Sequence, residues 1–327
     1  MHPLKVKARC IVDAEGRIEH IKSALDRGLE EFGPTPEHDK EICIIGSGPS
    51  VQQQVKKIRK LQRKGHFILA VKGAHDFLLK NKIMPNAALA VDPQPHIVRC
   101  FRRKLPKGEV KRPAYLIASQ CCPEVFDYLE DQRVILWHLL AASSMDILKG
   151  KICIGGGSTS GSRGIVLGYM MGFRKFHLFG FDSCLQGYGE SKLRKVTGEK
   201  WGEVDENGKQ QVVLELVCEG QTFFADPAFA AQANEIQDVV KMLTGAKFKA
   251  YGKGLIQTVF AANAEKGWGG YYAVGDEFGP EGVPPLRKKD ADDIKREHGF
   301  ISSGVYRGRD YFPGRGDQAA TERPRVA

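Results

Sequence analysis

The strongest constraint on the fold is the segment from residue 41 to residue 50, which reads EICIIGSGPS. Its apolar run from Ile42 to Ile45 is typical of a strand buried on both faces, as in a parallel sheet. Gly46 and Gly48 then let the backbone turn sharply, and apolar residues from Val51 onward recur at helical spacing. The segment therefore predicts a strand, a tight turn and a helix whose first N–H groups suit a phosphate.

This glycine-rich turn differs from the two best-known phosphate-binding motifs. A P-loop would place Gly-Lys-Ser/Thr at the start of the helix, and a dinucleotide fingerprint would have a third glycine. The segment has neither. A tight turn that holds no ligand therefore stays open as the alternative.

Apolar runs and helical patterns alternate from residue 41 to about residue 182. Further runs begin at Phe67, Ala87, Tyr115, Val134 and Phe176. This alternation predicts an α/β fold with a doubly wound, mostly parallel sheet and right-handed crossovers. We expect three regions: an N-terminal helical segment over residues 1–40, the sheet domain over 41–265, and an irregular, basic, Gly- and Pro-rich tail over 266–327.

Ligands in such sheets bind outside the carboxyl ends of the strands. That rule selects the segments Gly46 to Ser50, Lys72 to His75, Asp92 to Pro95, and Ile154 to Ser162. The last of these is rich in glycine and serine, and one of its hydroxyls is expected to cap the following helix. We interpret it as a second phosphate- or carboxylate-binding helix start. An ordinary flexible loop with a cap is the alternative.

Composition restricts the partners only loosely. The formal charge of +10 is concentrated in two basic clusters, which are either solvated faces or surfaces for a polyanion. No motif supports nucleic-acid binding, and no apolar run is long enough to span a membrane. The eight cysteines include no CxxC pair, which argues against a zinc site and favours a reduced, cytoplasmic location.

Three motifs in order resemble the MptE-like family. They are GSGPS at 46–50, AVDP at 90–93 and STSGSRGIVLGYMMGFRKFHLFGFD at 158–182. That family comprises 6-hydroxymethylpterin diphosphokinases, motility accessory factors of flagellin glycosylation, and many phage proteins. The same pattern is similar to bacterial sialyltransferases. The resemblance covers roughly residues 40 to 260, and it implies a phage or bacterial protein with a Rossmann-like nucleotide-binding domain.

The resemblance implies that both loops hold a nucleotide, which in the sialyltransferase-like branch is the CMP part of an activated sugar. Gly73 and Ser162 are included because they lie in segments selected by the strand-end rule. The expected nucleotide-binding residues are Gly46, Ser47, Gly48, Pro49, Ser50, Gly73, Ser158, Thr159, Ser160, Gly161 and Ser162.

In the diphosphokinase branch, an acid at the end of a central strand helps to hold Mg²⁺, and Asp92 matches that position. One or two carboxylates suffice when the ion is shared with phosphates. The sialyltransferases use a histidine after the last motif, but residues 183–297 contain none. Base catalysis is therefore expected from Asp92, Asp182, Glu190 or an earlier histidine such as His75 or His96, or it is not needed. Helix capping or a turn is the alternative for Asp92 and Asp182.

Three functions follow from the resemblance. The first is Mg²⁺-dependent diphosphoryl transfer from ATP to a hydroxyl acceptor. The second is glycosyl transfer from a CMP-activated or other nucleotide sugar to a small-molecule or glycan acceptor. The third is a non-catalytic nucleotide-binding or phage-associated protein, working in the host cytoplasm if phage-encoded.

Overall fold

The structure is a computed structural model that describes residues 12–105, 112–185, 214–225, 227–265, 271–274 and 306–307. Its strands are β1 (Glu30–Glu31), β2 (Glu41–Ile45), β3 (Phe67–Val71), β4 (Ala87–Ala90), β5 (Ala114–Ala118), β6 (Val134–Leu139), β7 (Cys153–Ile154), β8 (Lys175–Phe179), β9 (Leu214–Cys218), β10 (Gln221–Ala225), β11 (Lys247–Tyr251), β12 (Tyr271–Val274) and β13 (Tyr306–Arg307).

The α-helices are α1 (Ala14–Asp26), α2 (Val55–Arg63), α3 (Ala74–Lys80), α4 (Pro123–Tyr128), α5 (Ser160–Met170), α6 (Pro227–Met242) and α7 (Leu255–Glu265). Short 3₁₀ helices cover Pro49–Gln54, Pro95–Phe101 and Ala142–Ser144. No helix of the described residues is both long enough and apolar enough to cross a membrane.

The main sheet is parallel throughout and has the order β1-β6-β5-β4-β3-β2-β8-β11-β12, with β7 beside β6. From β2 the chain builds outward through β3, β4, β5 and β6, and then returns to place β8 on the other side of β2. This is the arrangement of a doubly wound sheet, and it confirms the predicted fold class. A smaller sheet has the order β10-β9-β13.

Helices cover both faces of the sheet. On one face, α5 lies close to β2, because a Cβ at Gly164 would be 3.5 Å from the Ile44 side chain. On the other face, the Lys57 ammonium of α2 lies 5.6 Å from the ring centre of Tyr251 in β11. The strands between the two layers are therefore buried, which explains their continuous apolar runs.

Some elements differ from the sequence expectation. The helix after the glycine-rich turn begins with a 3₁₀ segment, Pro49–Gln54, before α2. Helix α5 begins at Ser160, inside the segment expected to be a loop, because Thr159 caps it. Strand β1 was not predicted. Strands β12 and β13 lie in the range expected to be an irregular tail, and the rest of that range lies outside the described residues.

Candidate active site

The loops that follow β2 and β8 are in direct contact. The Gly46 N–H donates to the Phe179 carbonyl at 2.7 Å, and the Gly48 N–H donates to the Gly180 carbonyl at 2.9 Å. A Cβ at Gly48 would lie 2.6 Å from the Gly180 oxygen, so only glycine fits there. The two glycines of the turn therefore allow these loops to approach each other.

The Asp182 carboxylate lies at the start of the helix that follows the turn. It accepts hydrogen bonds from the Ser50 N–H at 2.9 Å and from the Ser50 hydroxyl at 2.5 Å. The residue is 4% exposed, and burial raises the pKa of its carboxyl although the hydrogen bonds from Ser50 and Gln257 oppose this. Within the chain, Asp182 thus takes the place that the turn was expected to offer to a phosphate. A catalytic role for Asp182 stays a prediction, and its burial argues against it.

A third loop, between β11 and α7, completes this contact. The Leu255 N–H donates to the Asp182 carbonyl at 2.9 Å. The Gln257 side-chain amide donates to the Asp182 carboxylate at 3.3 Å and accepts from the Gly254 N–H at 2.9 Å. Gln257 was not predicted from the sequence, in which the Gly-Lys-Gly stretch at residues 252–254 was the available signal.

The second predicted loop packs against the same segment from the other side. A Cβ at Gly161 would lie 2.8 Å from the Phe181 ring. Thr159 caps α5 by accepting from the Ser162 N–H at 3.2 Å, and the Ser162 hydroxyl accepts from the Thr159 N–H at 3.2 Å. The Glu235 carboxylate accepts from the Ser158 N–H at 2.8 Å and from the Ser158 hydroxyl at 2.7 Å.

The hydroxyls of Ser158, Thr159 and Ser162 in this loop therefore already make hydrogen bonds within the chain. The Ser160 hydroxyl is buried and has no hydrogen-bond partner within the described part of the protein. Binding of a nucleotide by these residues, and by Gly46 to Ser50, stays a prediction. Glu235, which holds Ser158, was missed because it lies on a helix far along the chain.

A solvent-accessible charged pair lies at the ends of β3 and β4. The Lys72 ammonium is 3.1 Å from an Asp92 carboxylate oxygen. The other Asp92 oxygen accepts from the Gln94 N–H at 3.1 Å, and the His96 imidazole lies 3.7 Å from the carboxylate. The side chains of Lys72 and Asp92 are 33% and 19% exposed, so both can be reached from solvent.

This charged pair continues the row of strand ends that starts at the glycine-rich turn. A Cβ at Gly73 would be 3.7 Å from the Ser47 hydroxyl, which places the ends of β2 and β3 next to each other. Lys72 itself has a φ of 50°, a left-handed conformation that costs a non-glycine residue about 1 kcal/mol. Such strain often marks a functional position. Sequence analysis selected the segment containing Lys72 but gave that residue no role.

The predicted catalytic residue His75 lies behind this row, in the interior. It is fully buried, and its ring nitrogens pair with the Asp76 carboxylate at 2.8 Å and with the Tyr115 hydroxyl at 3.2 Å. Burial lowers the pKa of its imidazole although Asp76 opposes this. A catalytic role for His75 stays a prediction, and its enclosure argues against direct contact with a substrate. The candidate base Glu190 lies outside the described residues.

The donor set at Asp92 fits a Mg²⁺ ion only in part. Mg²⁺ takes oxygen ligands and is usually held by one or two carboxylates together with substrate phosphates. Asp92 supplies one carboxylate, but its described neighbours Lys72 and His96 carry nitrogen donors. The site therefore suits an ion shared with donor phosphates and not one that the protein holds alone.

Comparison with solved structures supports the fold. The structure of a MAf glycosyltransferase from Magnetospirillum magneticum AMB-1 is similar, with a TM-score of 0.54 and 17% sequence identity. The similarity covers 76% of the present chain and 38% of that protein, so this chain matches well under half of its length. At this identity the similarity concerns the fold alone.

Comparison by sequence identifies the family. No curated protein matches the chain significantly. A family model described as "6-hydroxymethylpterin diphosphokinase MptE-like" matches residues 17–187. The match spans the glycine-rich turn, the Lys72–Asp92 pair and the second loop. The chain therefore belongs to the MptE-like family.

Proposed function

We propose that this protein is a transferase that binds a nucleotide-activated donor at the carboxyl ends of β2, β3 and β4. The observation that carries the proposal is the accessible Lys72–Asp92 pair at the ends of two adjacent strands. Membership of the MptE-like family supports the transferase class. The position agrees with the general rule for ligands in doubly wound sheets.

Each residue of the row has a distinct part. The Lys72 ammonium would break its ion pair with Asp92 and bind the donor's phosphates, since a lysine acts as a movable point charge. Ser47 and Gly73 would border the phosphates. Asp92 would hold a Mg²⁺ ion shared with those phosphates, and the ion would neutralise charge on the transferred group.

For ATP as donor, the reaction is diphosphoryl transfer. The acceptor hydroxyl oxygen forms a bond to the β-phosphorus, the bond from that phosphorus to the oxygen shared with the α-phosphorus breaks, and AMP leaves with that oxygen. His96 lies beside Asp92 and is half exposed, so we propose that it takes the hydroxyl proton. The description of the family favours this reaction.

Glycosyl transfer from a CMP-activated or other nucleotide sugar is the second candidate. It is favoured by the fold similarity to a protein described as a glycosyltransferase. In that reaction the acceptor oxygen loses its proton to the same base and bonds to the sugar carbon. The bond from that carbon to the bridging oxygen breaks, and the nucleotide leaves with that oxygen. A protein that binds a nucleotide without catalysis is the third candidate.

A thermal-shift screen with ATP, CMP, CDP, UDP and GDP, each with and without Mg²⁺, separates the first two candidates, and an assay for product then separates them from the third. A ligand raises the melting temperature by mass action. Stabilisation by ATP that needs Mg²⁺ and is lost in Asp92→Asn supports diphosphoryl transfer. Stabilisation by a cytidine nucleotide without Mg²⁺ supports glycosyl transfer. Asp127→Asn, at an exposed carboxylate paired with Arg27, is the control. The proposal fails if no nucleotide shifts the melting temperature at millimolar concentration.

A further inference from the structure

A second cluster of ligand-type side chains lies away from the candidate active site, towards the amino ends of the strands. Glu41 is the first residue of β2, His66 immediately precedes β3, and His177 lies in β8 opposite Cys43. One carboxylate oxygen and one nitrogen from each imidazole lie within 4.8 Å of one another. Residues distant in sequence therefore converge on one point.

We propose that Glu41, His66 and His177 form a binding site for a divalent transition metal ion such as Zn²⁺. Two imidazoles and a carboxylate are a donor set that this class of ion prefers. No zinc site was expected from the sequence because it has no CxxC pair, whereas this set of ligands comes together only in the folded sheet.

The distances suit a metal after a small adjustment. The Glu41 carboxylate oxygen lies 2.6 Å from the His177 nitrogen Nε2 and 3.5 Å from the His66 nitrogen Nε2. Zinc bonds of about 2.0–2.2 Å in tetrahedral geometry separate neighbouring ligand atoms by about 3.4 Å. The His66–Glu41 distance already matches, and the His177–Glu41 pair must open by roughly 0.8 Å, a small side-chain rotation.

The surroundings hold His177 in an orientation suited to a ligand. Its other ring nitrogen, Nδ1, lies 2.8 Å from the Tyr251 hydroxyl. Tyr251 is in turn fixed by stacking on Phe179, with ring centres 4.3 Å apart. Metal-binding histidines are commonly held by such a hydrogen bond from the second ring nitrogen, which selects the tautomer that leaves Nε2 for the metal.

Exposure and charge are also compatible with an ion entering from solvent. The side chains of Glu41, His66 and His177 are 30%, 15% and 7% exposed, so the cluster opens on the side of Glu41. Burial lowers the pKa of both imidazoles although Glu41 opposes this. A lower pKa favours the neutral imidazole, which is the form that binds a metal. The nearby Lys175 ammonium, 3.9 Å from Glu41, disfavours the ion somewhat.

The ion would link β2, β3 and β8 at the end of the sheet opposite the candidate active site. Three protein ligands leave a further position for water. The expected consequence is stabilisation of the central strands, independent of nucleotide binding.

The test is titration of the metal-free full chain with Zn²⁺ by calorimetry and with Co²⁺ by visible absorption. We expect one equivalent to bind, a Co²⁺ spectrum without thiolate charge transfer, and a melting temperature raised by roughly 5 °C at a 100-fold excess over the dissociation constant. Mg²⁺ should give no such effect.

Variants locate the ion. His66→Gln and Glu41→Gln should each weaken Zn²⁺ binding at least tenfold, the lower end of the loss seen on removing even a supporting group. His20→Gln, at a histidine of α1 that contacts the Gln120 carbonyl, should leave binding unchanged. A dissociation constant for Zn²⁺ weaker than about 100 µM, roughly the limit of a useful affinity, would overturn the proposal. Binding of Zn²⁺ by His66→Gln and Glu41→Gln as tight as that of the parent would also overturn it.

Discussion

The buried carboxylate of Asp182 offers the sharpest test of how the candidate site is built. Asp182→Ala removes the acceptor for the Ser50 N–H, the Ser50 hydroxyl and one Gln257 amide proton. A buried donor left without a partner costs about 1–3 kcal/mol. The Ser50 hydroxyl can rotate, and the Gln257 amide keeps the Tyr251 carbonyl at 3.1 Å. We therefore expect a total loss of about 3–5 kcal/mol.

Asp182→Asn separates the hydrogen bonds from the charge. The amide keeps the volume and one acceptor oxygen, and it also relieves the burial of a charge, so its cost should be about 1 kcal/mol. Urea unfolding followed by circular dichroism measures both values. A loss below about 1 kcal/mol for Asp182→Ala would show that these contacts contribute little. A loss for Asp182→Asn as large as that for Asp182→Ala would refute the hydrogen-bond argument.

Three further outcomes follow from the same loops. Gly254→Ala should lower the free energy of unfolding by about 2–4 kcal/mol, because the new Cβ would lie 2.6 Å from Asp182 backbone atoms, whereas Gly33→Ala, with open space around it, should have little effect in urea unfolding. Glu235→Gln should cost about 1 kcal/mol and speed hydrogen exchange at Ser158, since the charged acceptor of that residue is lost; unchanged exchange would contradict this. The free energy of unfolding of the parent relative to Asp182→Asn should be greatest below the ordinary pKa of 3.8 and fall as the pH rises through the raised folded-state pKa of Asp182. The reason is that the folded chain binds the Asp182 proton more tightly than the unfolded chain does. Urea unfolding at several pH values checks the direction of this change.

The sheet could be predicted from the sequence because its strands are buried on both faces. The apolar runs at Ile42, Phe67 and Ala87 correspond to β2, β3 and β4. Strand β1 was not predicted from the sequence because it consists of two exposed glutamates, which show no apolar pattern. It pairs with β6 through its backbone, and that pairing has no signal in side-chain periodicity.

The candidate site was predictable to the level of strand ends but not of contacts. The rule for ligands in doubly wound sheets selected both Lys72 and Asp92, and these residues pair in the structure. The engagement of Asp182 with Ser50 spans 132 positions and depends on the pairing of β2 with β8. A single sequence offers no pattern for such a contact, so the position of Asp182 at this turn could not be predicted.

In the proposed transferase site, Lys72 and Asp92 form the phosphate-binding part. The most direct measurement is calorimetric titration of the nucleotide found in the screen into the parent, Lys72→Met and Lys82→Met. Lys82 is a matched control because it is also a lysine with a positive φ, 55° against 50° for Lys72, and it lies outside the row of strand ends. We predict that Lys72→Met weakens nucleotide binding at least tenfold, the effect of losing about 1.4 kcal/mol, and that Lys82→Met binds as the parent does. Equal affinity in all three proteins would contradict the account.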